Sequence, residues 1–267
     1  TLNTLNDNTT GAVDATTLMT ITGSAAHVNT AYTAGIASEI IGLGNEAVTL
    51  DDTTLAVTTL NTLDSNTTGT IDATTVTKLT GSASDVNSAY ASGGVTNLGD
   101  VTVILTDTTL TVATLNTLIG YSTGLVDATT VTTLTGSTTD VNTAFTAFAE
   151  GKINSLGNEA VTLTDTAVFA ETVVAIDSAT SGAINATNVM ALTGSASNAN
   201  SALTSAGLTN FDGDEAVTLT DTSLAAATLN TLDGNTTGAV DAATVTTITG
   251  TAVAIVTVAQ STSITTA

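Results

Sequence analysis

The sequence predicts an α/β solenoid: stacked strand–helix repeats built on a parallel sheet. Three observations lead there. The phrase TLNTL starts at Thr1, Thr59, Thr114 and Thr228, with a degenerate copy (TVVAI) at Thr172, so a unit of 55–58 residues recurs between four and five times. Self-similarity at a fixed period is the mark of a repeat stack. Apolar residues make up 42% of the chain but aromatics only 3%, and small apolar side chains fill a thin, continuous core better than a deep one. Within a unit, strand-like and helix-like phrases alternate, which builds parallel sheets through right-handed crossovers.

Each unit opens on a strand. AVTLT (216–220) is β-branched with period-2 alternation, and recurs unchanged at 160–164 and as AVTLD at 47–51. The Asp-Thr that follows suits a helix N-cap. The next stretch, Leu224 to Leu232 in the last copy, places Leu224, Leu229 and Leu232 on one arc of a helix, and Gly234 suits a left-handed C-cap. GAVDA (238–242) reads as a second, short strand. Val76 and Leu79, Val131 and Leu134, and Val245 and Ile248 then lie three apart, the spacing of one helix face. A further short helix follows in SASDVNSAY, capped by Ser82 or Ser84, with Val86, Ala89 and Tyr90 on one side and Gly93 and Gly94 ending it. The expected unit is strand, helix, strand, two short helices, giving about nine rungs. An all-β solenoid, with the Thr-rich phrases as further strands, is the alternative. One repeat domain is expected over residues 1–267, with copies starting near 1, 59, 114, 172 and 228. A divergent segment, 252–267, contains AVAIVTVAQSTSI, which reads as a strand.

Charge excludes whole classes of partner. Against 24 Asp and Glu stand only Lys78 and Lys152, leaving a formal charge of −22, which repels phosphate backbones and anionic lipid. Nucleic acid is therefore not an expected partner, and no apolar run is long enough for membrane insertion. A mean hydropathy of +0.38 and the regular apolar pattern separate the chain from acidic disordered segments. An enzyme is not expected either. There is no Cys, and His27, the one His, stands where other copies have Asp85, Asp140 and Asn198.

Recurrent polar residues are the remaining candidates. Asn3, Asn61, Asn116 and Asn230 of LNTL, and Asn29, Asn87, Asn142 and Asn200 of the following helix, recur once per copy. In a stack such residues can bond backbone from rung to rung. Asp14, Asp72, Asp127 and Asp241 follow the second strand's apolar residue, with Asn185 in one copy; Asp51, Asp107, Asp165 and Asp221 follow the first strand. Aligned at about 5 Å per rung, such a column of like charge repels itself unless cations, donors or capping geometry compensate. Asp212 and Asp214 of FDGDE form the densest acidic cluster. Asp14, Asp72, Asp127, Asp241, Asp212 and Asp214 are accordingly the candidate metal ligands, with calcium, a hard oxygen-seeking cation, as the candidate ion. No organic cofactor is expected.

The phrases LNTLDGNTTGAVDA, VTTLTGSASDV and LGNEAVTLTDT resemble tandem repeats in very large secreted or surface proteins of cyanobacteria and other aquatic bacteria. The resemblance covers nearly the whole chain up to about Thr251. It implies export and a structural role in a fibre, sheath or surface layer, and it carries over no catalytic residue. The Gly-rich nonapeptide calcium repeats that accompany such proteins are missing here. The expected location is extracellular or at the cell surface. The expected partner is the protein itself, as a head-to-tail homopolymer in which the tail segment meets the TLNTL end of the next molecule. The alternative is an adhesin extender or binding module, engaging glycan, a cell surface or ice through Thr-x-Thr rows. Stacked repeats make a scattering prediction: the radius of gyration should clearly exceed the roughly 18 Å of a compact domain of this length, and a value at or below that overturns the repeat-stack reading.

Overall fold

The structure, a computed structural model, describes residues 1–265. It is α/β, with parallel strands and helices alternating along the chain. The strands build several parallel sheets, and each sheet lies within one of two compact units. The first unit comprises residues 1–108, 114–131 and 147–155; the second comprises 109–113, 132–146 and the chain from Leu156 on.

Short strands return to the same sheet about every 24 residues. In the first unit, Thr54–Ala56, Lys78–Gly81, Thr102–Leu105, Val126–Asp127 and Ile153–Asn154 form one five-stranded sheet in that order. Its register puts Leu55 beside Leu79, then Val103, Val126 and Ile153. All five point inward and are at most 5% exposed. Thr20–Gly23, Ala47–Leu50, Ile71–Asp72 and Val95–Thr96 form a second sheet. The second unit repeats the plan twice. Leu110, Leu134, Val161, Ile184 and Leu208 make one inward column, and Val168, Leu192, Val217, Val240 and Ile264 the other. Burying each such side chain stabilises by roughly 1.5–3 kcal/mol.

Helices close the coils, and two kinds alternate. The LNTL kind, for example Val57–Asn66 and Ala226–Asn235, turns Leu60 and Leu63, or Leu229 and Leu232, into the core with no residual exposure. The SASD kind, for example Ala83–Ala91 and Ala196–Leu203, buries Ala83, Val86 and Ala89, or Ala196, Ala199 and Ala202. These residues sit three apart, and their small side chains let the helix lie close against its neighbours. Ser82, Ser195 and Thr251 accept the capping bond at the starts of their helices. Tyr32 and Phe145 are buried on SASD-kind helices; Tyr90, at the equivalent position, is half-buried and stacks on Tyr121 with ring centroids 6.1 Å apart.

Four local expectations are corrected. The phrases with Val131 and Leu134, Val76 and Leu79, and Val245 and Ile248 are not helical. They lie at and just before the strands Thr133–Gly136, Lys78–Gly81 and Thr247–Thr249. The Val N–H closes a turn onto the carbonyl of Ala128, Ala73 or Ala242, so the three-residue spacing spans a turn and a strand, and the β propensity of Thr prevails. Leu224 belongs to the strand Ser223–Ala225 and not to the helix, which starts at Ala226. Gly234 lies inside that helix, which ends at an extended Thr236. The segment after Thr251 keeps the plan of the other coils: AVAIVTVAQ forms the helix Ala252–Gln260, and Ile264–Thr265 pairs with Val240–Asp241. A copy thus holds five short strands and two helices.

Glycine is needed where coils touch most closely. A Cβ at Gly69, Gly182 or Gly238 would run into the backbone carbonyl of Glu46, Glu159 or Glu215. Substituting Gly182 with Ala should therefore cost more than about 2 kcal/mol, because backbone cannot yield as a side chain can. Leu232→Asp should cost several kcal/mol through burial of an unpaired charge. Denaturant melts of both variants test this; wild-type midpoints would contradict the packing.

Candidate functional site

The chemistry-bearing residues recur at the joints between coils. Asp14, Asp72 and Asp127 each accept from the N–H of the Thr two residues on, at 3.0 Å, and from its hydroxyl; Asn185 does the same with Thr187, and Asp241 accepts from the Ala243 N–H. Local Asx turns of this kind are what Asp and Asn favour. Asn97 adds a bond from its Nδ2 to Asp72 at 2.8 Å. The Thr16 hydroxyl and N–H hold the Asp14 carboxyl below its ordinary range, and Thr74 followed by Asn97 does so for Asp72. Their register neighbours are uncharged. Asp72 lies beside Thr49 and Thr96, Asp127 beside Ile104 and Asn154, and Asp241 beside Thr218 and Thr265. The expected column of like charge is absent because successive coils present different phrases. Asp212 and Asp214 are exposed on a turn, where the Asp212 N–H donates to Glu215. Among the described residues no group of three or more His, Cys, Asp or Glu is placed to hold a metal ion.

The acids after the first strand do cap helices, but not the helix that follows them. The carboxylates of Asp52, Asp107, Asp165 and Asp221 accept from the first N–H of the helices starting at Ala25, Ala83, Thr138 and Ala196, at 2.5–2.8 Å. Each cap reaches back 24–27 residues, so one coil's turn secures the previous coil's helix. Asp52, and not Asp51, is the equivalent residue in the first copy. An anion at a helix N-terminus also meets the positive end of the helix dipole.

Asn and Thr supply further joints. Asn3, Asn29, Asn61 and Asn87 donate from Nδ2 to the carbonyls of His27, Thr59, Asp85 and Thr114, and Asn230 to that of Ala254, at 2.9–3.0 Å. Thr75, Thr130 and Thr244 donate to the carbonyls of Leu50, Leu105 and Leu219, 25 residues back. His27 is exposed, with its ring within hydrogen-bond distance of the cap residue Ser24. Lys152 pairs with Glu150 at the surface.

One recurrent group escaped the sequence reading. Glu46, Glu159 and Glu215 are three of the chain's six glutamates, and each is 1% exposed. The side chain folds back on its own turn. Glu46 accepts from the N–H groups of Gly44 and Asn45 at 2.9 and 3.2 Å, and Glu159 from those of Gly157 and Asn158 at 2.7 and 3.1 Å. In every case the second carboxylate oxygen is buried without a hydrogen-bond partner in the protein. Tyr32 donates its hydroxyl to Glu46 at 3.1 Å; burial, with the Glu46 charge behind it, pushes the phenol up to about 12. Phe145 and Leu203 stand where Tyr32 does in the other Glu-bearing copies, and the copy with Tyr90 has Val101 in place of Glu. GNE reads as a turn from sequence; the signal that could have marked it is Glu recurring in a chain whose acids are mostly Asp.

The chain matches no protein-family model, no curated protein and no solved structure.

Burial raises the Glu215 carboxyl above its ordinary value, and the Asp214 charge adds to this. A group whose folded value is raised contributes stability below its unfolded value and loses it as pH rises through the folded value. Glu215→Gln should therefore gain melting temperature on wild type as pH rises from about 4 to 8. A difference independent of pH would show that this carboxyl is not desolvated in the fold.

Proposed function

We propose that the protein is a non-enzymatic, extracellular structural repeat, a building block of a fibre, sheath or surface layer that self-associates end to end. The observation carrying this reading is that the recurrent polar residues, which in an enzyme would converge on a substrate, join each coil to the next. Asp52, Asp107, Asp165 and Asp221 cap neighbouring helices, and the Asn and Thr series bond neighbouring carbonyls. The cleft lined by Asn6, Asp7, Thr9, Ser38 and Glu39 is polar, and Asn6 already bonds Glu39 across it. No helix among the described residues is long and apolar enough to cross a membrane. The acidic surface disfavours nucleic acid, and the likeness of the repeats to those of giant secreted proteins supports export.

One observation favours the second reading, an adhesin module that binds ice or a hydroxyl-rich surface. Thr111, Thr135 and Thr162 stand in register on successive strands, beside Thr109 and Thr133. That is two rows of outward hydroxyls and methyls at about 4.8 Å along the row. Electron microscopy of the purified chain, with sedimentation across concentration, separates the two. Regular fibres or sheets support the structural reading; isolated particles that adsorb to ice support the other.

A further inference from the structure

Glu46, Val101 and Glu159 occupy one position in three successive copies, and together they separate what the turn needs from what an acid adds. The turn is the same with either side chain. The N–H of Thr68, Thr123 or Ser181 donates to the carbonyl of Gly44, Gly99 or Gly157 at 2.7–2.8 Å. Gly69, Gly124 and Gly182 lie against the carbonyls of Glu46, Val101 and Glu159. All three residues are 1% exposed. An apolar residue therefore suffices for this joint, and a buried acid is a costly substitute for it.

The two acids are held alike, on one oxygen only. Oε2 accepts from two successive main-chain N–H groups, of Gly44 and Asn45 or of Gly157 and Asn158, and such bonds favour the ionised carboxylate. Oε1 is buried in both without a hydrogen-bond partner in the protein. The chain supplies no positive charge to either. Its two basic residues are Lys78 and Lys152; Lys78 is exposed and Lys152 pairs with Glu150 at the surface. Glu215 is a different case, because Asp214 stands beside it and burial raises its carboxyl.

We propose that Glu46 and Glu159 each bind a monovalent metal cation, sodium or potassium, through the Oε1 that the protein leaves unpartnered. The ligands are all oxygen, which suits a hard ion: the carboxylate, with main-chain carbonyls of the turn to complete the set. Charge selects the valence. One positive charge neutralises a lone carboxylate, whereas a divalent ion would leave an excess charge buried. Among the described residues no group of three or more His, Cys, Asp or Glu gathers around a common point as a divalent site would use. A cation bound only by the folded turn stabilises the fold as its site fills. These joints then depend on the identity of the salt, which screening alone does not.

Thermal melts in sodium, potassium and choline chloride at one ionic strength and pH test this, because choline screens charge but is too large for a buried site. Wild type should melt higher in sodium or potassium chloride than in choline chloride. Glu46→Val and Glu159→Val, which copy the residue native at 101, should each remove about half of that gap, and the double variant all of it. Asp51→Asn, which drops one exposed charge, should keep the gap. The double Gln variant, Glu46→Gln with Glu159→Gln, preserves side-chain size and covers the case in which valine disturbs the turn. Sodium NMR relaxation of wild type should show a saturable class of bound ions that either double variant lacks. Equal melting of wild type in the three salts, a gap that survives in both double variants, or the absence of saturable sodium and potassium binding overturns the proposal. Stabilisation by calcium chloride alone overturns the monovalent assignment.

Discussion

Strands of two to four residues exchange few ladder bonds with their neighbours, so side chains must complete every joint in this fold. That constraint organises the structure. Where a long strand would hold the next coil through its backbone alone, here an Asp caps the helix of the coil before it, an Asn bonds a carbonyl on the adjacent helix, and a Thr reaches back to the strand-end turn. Each of these bonds links residues 23–30 apart, which is the length of a coil. The narrow composition follows. Asp, Asn and Thr are short side chains that reach backbone without burying a long flexible stem, and Ala and Val allow the helices the close approach that brings those carbonyls within 3 Å.

The scarcity of Lys and Arg shapes the electrostatics. With two cations for 24 acids, a structural carboxylate has to be satisfied by N–H and O–H donors. Asp14 and Asp72 show the favourable case, exposed and held by a Thr. Glu215 shows the unfavourable one, buried, with one oxygen on a backbone N–H and the other without a partner. The copy that places Val101 there shows that the turn does not depend on the acid. The Gly that packs against this carbonyl persists with either residue, as Gly124 does against Val101 and Gly182 against Glu159. The backbone contact is therefore the stricter requirement.

The α/β stack was legible because the repeat period and the alternation of phrases are properties of the chain itself. So were the Ser caps and the Asn residues that bond between rungs. The failures share a cause. Val131 and Leu134 sit three apart both in a helix and across a turn joined to a strand, and spacing alone does not separate the two. Asp165 in front of a helix looks like that helix's cap, and only three-dimensional proximity shows its carboxylate turned to Thr138. A like-charge column would require copies stacked directly on copies. Coils stack instead, and two different coils alternate, so Asp72 meets Thr49 and Thr96. The buried glutamates were unreadable for a related reason: a turn sequence does not say which of its side chains folds inward.

The offset between coil and copy has a genetic consequence. A coil returns after about 24 residues, but a copy measures 55–58, because it contains two coils and one additional strand. That strand begins a new sheet in each copy, at Thr54, Thr109, Ala167 and Ser223. Each five-stranded sheet then takes one strand of every class in a fixed order. Losing a single coil would set Asp-capped turns against the wrong helices and strands of the wrong class side by side. Losing or duplicating a whole copy restores every neighbour. Recombination between copies can therefore lengthen or shorten such a protein only in quanta of one copy, and the stack tolerates replication slippage in that unit alone.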